Sequence, residues 1–319
     1  MSVHVSIRSL AKELGMSRST IHTWIRKYFS NSHIDTDILK AFIVLKKRGI
    51  KFYTLPPRNV PWPWILVNIF TINILENYLN YLREAGGRIE SVILDAGVDK
   101  HWRKRFCDIP LDYSDEYWNM FYEAIEKVNE LSKIHGFRYE VVVPDYPDDY
   151  SHVWGKRHAL WTEESSDTPT NIDRTIQNIY RVIDNNKKIP WLIPVQGYEN
   201  TPQSIAYTLE DLLNTIGRRY RYALANLCTS KKTNIIIETI RLAREVCPQC
   251  SFHIFGPSIS GIKKSLAFLI HNDSWDSMAW TYPRTSGWSC KNNNERVVYF
   301  ILYMKHIYTA ISSTSLSYQ

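Results

Sequence analysis

Beyond residue 64, short apolar runs of strand length alternate with longer stretches of helical period, and this alternation constrains the fold more than any other feature. Strands are expected at 65–70, 91–95, 139–143, 191–195, 220–225, 252–255 and 274–280. Helical patterns fall between them at 72–85, 115–135, 171–185, 204–216, 234–246 and 262–270. Strands separated by crossover helices pair in parallel. Seven strands favour a closed barrel over an open sheet, with the eighth unassigned and 297–303 readable as helix or strand. A doubly wound sheet is the alternative, but no Gly-rich phosphate loop follows the first strand.

The first fifty residues follow another rule. Ile7, Leu10, Ala11 and Leu14 repeat at helical spacing, Gly15 supplies a turn, and Ser17 caps a second helix whose inward face is Ile21, Trp24 and Ile25. That helix turns Arg18, His22, Arg26 and Lys27 outward, suited to phosphates and groove edges. The pattern resembles the helix-turn-helix of DNA-binding regulators and resolvases. A third helix is expected over 37–47. Pro56, Pro57, Pro61 and Pro63 then interrupt regular structure. The expected organisation is a helix-turn-helix domain over 1–50, a Pro-rich linker over 51–63 and an α/β barrel of TIM type over 64–319.

The chain has 319 residues and a formal net charge of +7, a balance that favours polyanionic partners. No apolar run approaches the roughly 20 residues that span a bilayer, and the N-terminus reads as lacking a signal peptide, so a cytoplasmic protein without membrane partners is expected. Five cysteines do not form a secreted disulfide framework. Cys247 and Cys250 read as a connecting loop open to oxidation; half of a zinc site is the alternative.

In a (β/α)-barrel the chemistry sits where strands end, at the C-terminal mouth. Here the expected strand ends carry Asp95-Ala-Gly97, Asp145, Gln196-Gly197, Asn226-Leu227, His253 to Gly256, and Asp273 to Asp276. One such Asp is commonly a helix cap. Several carboxylates on one mouth suit acid/base or nucleophilic work at a carbon centre, or a metal. Retaining glycosyl transfer needs two carboxylates, one to attack the anomeric carbon and one to manage the proton; a third could accept the N–H donors of a purine edge. His253 reads as a barrel histidine with satisfied ring nitrogens.

These ordered motifs resemble the tRNA-guanine transglycosylase superfamily, above all its divergent relatives that insert 7-deazaguanines into DNA. Leu94 to Gly97 resembles the family's Asp-Ser-Gly motif, with Ala96 for Ser; Pro144 to Pro147 resembles the base-recognition segment, and 170–176 the helix that follows it. Residues 193–197 match the Val-Gln-Gly strand, 222–227 occupies the place of a Gly-Gly-Leu or Gly-Ser-Leu pocket segment, and Asp273 to Asp276 resembles the nucleophile motif. The resemblance implies that Asp276 is the nucleophile and Asp95 the general acid/base. It also implies that Asp145, Gln196, Gly197 and Leu227 form the base pocket.

The implied reaction exchanges guanine for guanine or a 7-deazaguanine in a single-stranded or flipped-out target. Family members carry a zinc site of three Cys and a distant His after the nucleophile. Only Cys290 and His306 lie there, so no metal or other cofactor is expected. That absence and the helix-turn-helix favour DNA over tRNA. Arg103, Lys104, Arg105 and Arg284 are expected to hold phosphates beside the mouth. A catalytically silent barrel that binds nucleic acid and a metal-dependent hydrolase are the competing readings.

Overall fold

The computed structural model describes residues 6–29, 34–98, 113–147, 170–198, 200–228, 232–281 and 292–313. Three helices open the chain: α1 (Ile7–Leu14), α2 (Arg18–Tyr28) and α3 (Thr36–Arg48). The Ser6 hydroxyl accepts from Ser9 N–H and the Ser17 hydroxyl from Thr20 N–H, each at 3.1 Å. Gly15 turns between them at φ 58°, in the left-handed region that glycine enters without Cβ strain.

Eight parallel strands follow: β1 (Lys51–Tyr53), β2 (Trp64–Asn68), β3 (Ser91–Asp95), β4 (Arg138–Val142), β5 (Trp191–Val195), β6 (Arg221–Leu224), β7 (Phe252–Ile254) and β8 (Ser274–Asp276). Neighbours pair in the order β1-β8-β7-β6-β5-β4-β3-β2. Thr54 closes the ring: its N–H donates to Trp64 O at 3.3 Å, and its carbonyl accepts from Leu66 N–H at 3.2 Å. The result is a nearly closed (β/α)8 barrel, as the alternation predicts.

Helices α4 (Ile72–Ala85), α5 (Asp115–His135), α6 (Asn171–Asn185), α7 (Pro202–Thr215), α8 (Thr233–Val246), α9 (Ile259–Ser265) and α10 (Asn293–Ser312) follow β2 to β8 in turn. The segment 297–303, ambiguous in sequence, is therefore helix. The eighth strand is β1, inside the stretch expected to be linker. Three residues between Gly49 and the prolines are too short to reveal a period, and only pairing with β8 and β2 makes them a strand.

No described helix follows β1. Over the β1–β2 seam, α3 supplies the missing apolar cover instead. Phe42 of α3 is fully buried, with ring centroids 5.4 Å from Trp64, 6.4 Å from Trp62 and 4.9 Å from Phe29. Helices α1 to α3 thus share one continuous core with the barrel. Truncating such a buried aromatic ring costs about 3–5 kcal/mol.

Helix α2 lies against the N-terminal end of the barrel. Ahead of it, at the end of α1, Leu14 O accepts from Lys47 of the last turn of α3 at 2.7 Å. At the end of α2, Arg88 N–H donates to Tyr28 O at 3.1 Å and the Tyr28 hydroxyl to Glu90 at 2.7 Å, just ahead of β3. Arg18, His22, Arg26 and Lys27 are all exposed on it. Their face is consequently at the end opposite the mouth. Among the described residues no helix is long and apolar enough to cross a membrane.

Candidate active site

Parallel strands all end at one rim, so the polar residues that close them share a neighbourhood by construction. Asp95 ends β3 and Asp276 ends β8. Asp145 lies three residues past β4, Gln196 directly follows β5, and Asn226 lies two residues past β6. The structure brings Asp95, Asp145, Gln196, Gly197, Leu227 and Asp276 to this single rim. Arg103, Lys104, Arg105 and Arg284 lie outside the described residues, as does Cys290.

On the β3 side, Gly97 N–H donates to Asp95 Oδ1 at 2.5 Å. Gly97 has φ 72°, and a Cβ there would come within 2.7 Å of the Phe70 ring, so the tight turn needs glycine. The Tyr117 hydroxyl donates to Ala96 O at 2.7 Å, and the Tyr113 hydroxyl to Asp145 O at 2.6 Å. Their rings lie 4.3 Å apart, and Tyr113 also meets Tyr146 at 5.1 Å. This aromatic group braces the Asp95 and Asp145 turns against each other. Burial raises the Tyr117 phenol well above its usual range, and the charges of Asp95 and Asp145 add to that.

The pocket side is buried. Asp145 is 9% exposed and Gln196 1% exposed, and the Gln196 amide donates to Asp145 Oδ2. A carboxylate only accepts, so this contact fixes which way the Gln196 amide points. Asn226 donates in the same manner to Gly197 O, from a left-handed backbone at φ 59°. Both amide oxygens, Gln196 Oε1 and Asn226 Oδ1, are buried without a hydrogen-bond partner among the described residues. Two orphan acceptors beside a carboxylate suit a ligand edge rich in N–H donors. Leu227 is 1% exposed and contributes apolar wall. A Cβ on Gly197 would lie 2.5 Å from Ile205 and 2.8 Å from its backbone nitrogen, so α7 packs directly on this turn.

On the β8 side, Asp276 Oδ1 accepts from Gly256 N–H at 3.0 Å and meets His253 Nε2 at 3.2 Å. No hydrogen bond falls on Oδ2 among the described residues. His253 Nδ1 lies 2.7 Å from Ser274 Oγ, so both ring nitrogens are engaged, as expected for a barrel histidine. Burial lowers the His253 pKa below its ordinary 6.5, against the opposing pull of Asp276. The partnership with Asp276 was not legible in sequence; two residues 23 positions apart meet only because β7 and β8 are neighbours.

Asp273, the first acid of the β8 motif, belongs to the other end of the barrel. It is fully buried, accepts from Phe252 N–H at 2.7 Å and pairs with Arg244 at 2.6 Å. Its role is to tie α8 to β7 and β8. Cys247 and Cys250 are joined by a disulfide at the end of α8, so the loop reading applies and the thiols are not offered to zinc. Among the described residues no group of three or more His, Cys, Asp or Glu side chains is arranged to hold a metal ion.

No family model and no curated protein matches this chain. The likenesses are structural alone. A monomeric dihydrodipicolinate synthase variant superposes at 10% identity and TM-score 0.36, over 85% of this chain and 83% of that one. The HMG-CoA lyase from Brucella melitensis does so at 13% identity and TM-score 0.28, over 91% and 95%. The carboxyl transferase domain of Rhizobium etli pyruvate carboxylase gives 12% identity and TM-score 0.32, over 74% of this chain but 38% of that one. None of these three is a guanine transglycosylase, and likenesses this remote add nothing to what strand order and site geometry establish.

Proposed function

We propose that this chain is a glycosyltransferase that exchanges a guanine base in a nucleic acid for guanine or a 7-deazaguanine. The observation that carries the reading is the Asp276 carboxylate. One oxygen is held by Gly256 N–H and His253, the other has no hydrogen-bond partner among the described residues, and a second carboxylate and a buried amide–carboxylate pair share its rim. A nucleophilic carboxylate needs one oxygen oriented and the other available.

In the proposed reaction Asp276 Oδ2 forms a bond to C1′ of the target nucleotide. The C1′–N9 bond breaks, its electron pair leaves with the base, and a carboxylic proton from Asp95 goes to the departing guanine. Asp95, now ionised, takes the N9 proton of the incoming base. The nitrogen then attacks C1′ from the vacated side and displaces Asp276, so configuration is retained after two inversions. Asp145 and the orphan oxygens of Gln196 and Asn226 would receive the N1–H and amino donors of a guanine-type edge. The tRNA-guanine transglycosylase resemblance supports the same division of roles.

DNA is the proposed polynucleotide, with α2 as a tether. Because its cationic face lies at the N-terminal end of the barrel, α2 would hold flanking duplex while the target base enters the mouth from another part of the strand. Incorporation of labelled guanine into DNA and tRNA tests the reading. Exchange into DNA that vanishes in Asp276→Asn is expected. Incorporation into tRNA alone would refute the DNA preference, and base binding without any exchange would make the barrel a binding protein.

A further inference from the structure

The interior of the barrel holds a buried polar chain that ends on Asp276. Arg221 of β6 donates to Glu140 of β4 at 2.6 Å and, with its other terminal nitrogen, to Ser274 Oγ of β8. Ser274 Oγ meets His253 Nδ1 at 2.7 Å, and His253 Nε2 meets Asp276 Oδ1 at 3.2 Å. His253 and Ser274 are at most 1% exposed. The base-exchange scheme uses only the last contact, His253 on Asp276; Glu140, Arg221 and Ser274 have no part in it, yet they run to the nucleophile.

Donor and acceptor counting fixes the protons along this chain. A guanidinium only donates, so Ser274 Oγ accepts from Arg221 and keeps its own hydrogen to give. An ionised Asp276 only accepts, so the nitrogen facing it must carry hydrogen. A neutral imidazole has one N–H; it therefore lies on Nε2, and bare Nδ1 accepts the Ser274 hydroxyl. Burial, helped by the nearby Arg221 charge, opposes the doubly protonated ring and outweighs the pull of Asp276 and Glu140 toward it. Tyr53 of β1, edge-on at 5.9 Å, and Phe255 at 5.0 Å supply no competing acceptor for the ring. Among the described residues the charged or titratable groups that also face this cluster are Glu140, Lys51 of β1, Asp273 just before β8, and Tyr303 of α10.

We infer that His253 is a positioning residue for the nucleophile. Locked as the neutral Nε2–H tautomer by Ser274 and Arg221, it pins Asp276 Oδ1 and presents Oδ2 to the sugar. The role of Oδ2 rests on the base-exchange reading, whereas the locked tautomer does not.

The test follows that division. Long-range proton–nitrogen NMR of the full chain with labelled histidine, assigned against His253→Gln, reads the tautomer without any substrate. The expected spectrum is one neutral Nε2–H ring, unchanged from about pH 5.5 to 8. A proton on Nδ1, or titration near the ordinary histidine value, overturns the inference.

Kinetics then reads the effect on chemistry. His253→Gln, whose amide can still donate, should keep kcat within about threefold. His253→Phe should lose about 10- to 100-fold in kcat with KM nearly unchanged, the range for one hydrogen bond to a charged group. Full kcat in a folded Phe variant overturns the positioning role. If wild-type protein exchanges no base, the functional reading fails, and the NMR result still stands or falls alone.

Discussion

Replacing Glu90 by Gln tests whether the first three helices are part of the barrel. Glu90, 12% exposed, precedes β3 and meets four elements. It accepts from Tyr28 of α2 at 2.7 Å, pairs with Lys46 of α3, and lies 3.5 Å from Lys51 of β1 and 3.8 Å from Arg138 of β4. Burial alone would raise its pKa. The hydrogen bonds from Lys46 and Tyr28, with the charges of Lys46 and Lys51, outweigh that and bring it from 4.5 to about 2. At 1.36 kcal/mol per unit this displacement corresponds to about 3 kcal/mol of stability. Breaking a buried ion pair costs a similar amount, about 3–5 kcal/mol.

The sign follows from linkage. A carboxylate whose folded pKa is depressed stabilises fully above its unfolded value of 4.5, and that contribution fades as pH falls toward about 2. Urea unfolding of wild type and Glu90→Gln should therefore differ by about 3 kcal/mol at pH 7, with about half of the gap closed by pH 3 and most of it by about pH 2. Tyr28→Phe, which removes one partner, should cost about 1 kcal/mol. Helices and barrel should melt in one transition. A gap under about 0.5 kcal/mol, a gap that ignores pH, or a separate helical transition would refute the reasoning.

Three further outcomes are expected. Gly256→Ala forces a Cβ into a backbone at φ 57° and 2.4 Å from the Cys228 Cβ. It should cost about 2 kcal/mol or more and depress exchange by moving the Gly256 N–H off Asp276; an unchanged melting point and rate would contradict this. Asp145→Asn should raise the KM for guanine by about 10- to 100-fold, more than it changes the trapping of Asp276, which equilibrium base binding and adduct yield would separate. Alanine at Arg18, His22, Arg26 and Lys27 together should flatten the salt dependence of duplex binding while exchange on a short oligonucleotide persists. Equal loss on both substrates would show that α2 acts at the mouth.

Barrel architecture was legible because seven strands are apolar runs between amphipathic helices. The strand β1 was not, since Lys51, Phe52 and Tyr53 carry no period of their own and derive their pairing from β8 and β2. Asp95, Asp145, Gln196 and Asp276 could be read as rim residues because strand ends are visible in sequence and parallel strands share a rim. Tyr113 and Tyr117, which brace that rim, look like ordinary packing residues until their hydroxyls are seen on Asp145 O and Ala96 O. The contact of His253 with Asp276 and the placement of α2 at the far end of the barrel depend on tertiary packing, which no local pattern encodes.

The most direct test of the account is to incubate the protein with guanine-containing DNA, quench by denaturation, and map any adduct by mass spectrometry after nuclease and protease digestion. The account predicts a sugar-linked peptide with the modification on Asp276, discharged when excess guanine is added before the quench. An adduct on another residue, or base exchange that proceeds undiminished in Asp276→Asn, would contradict it.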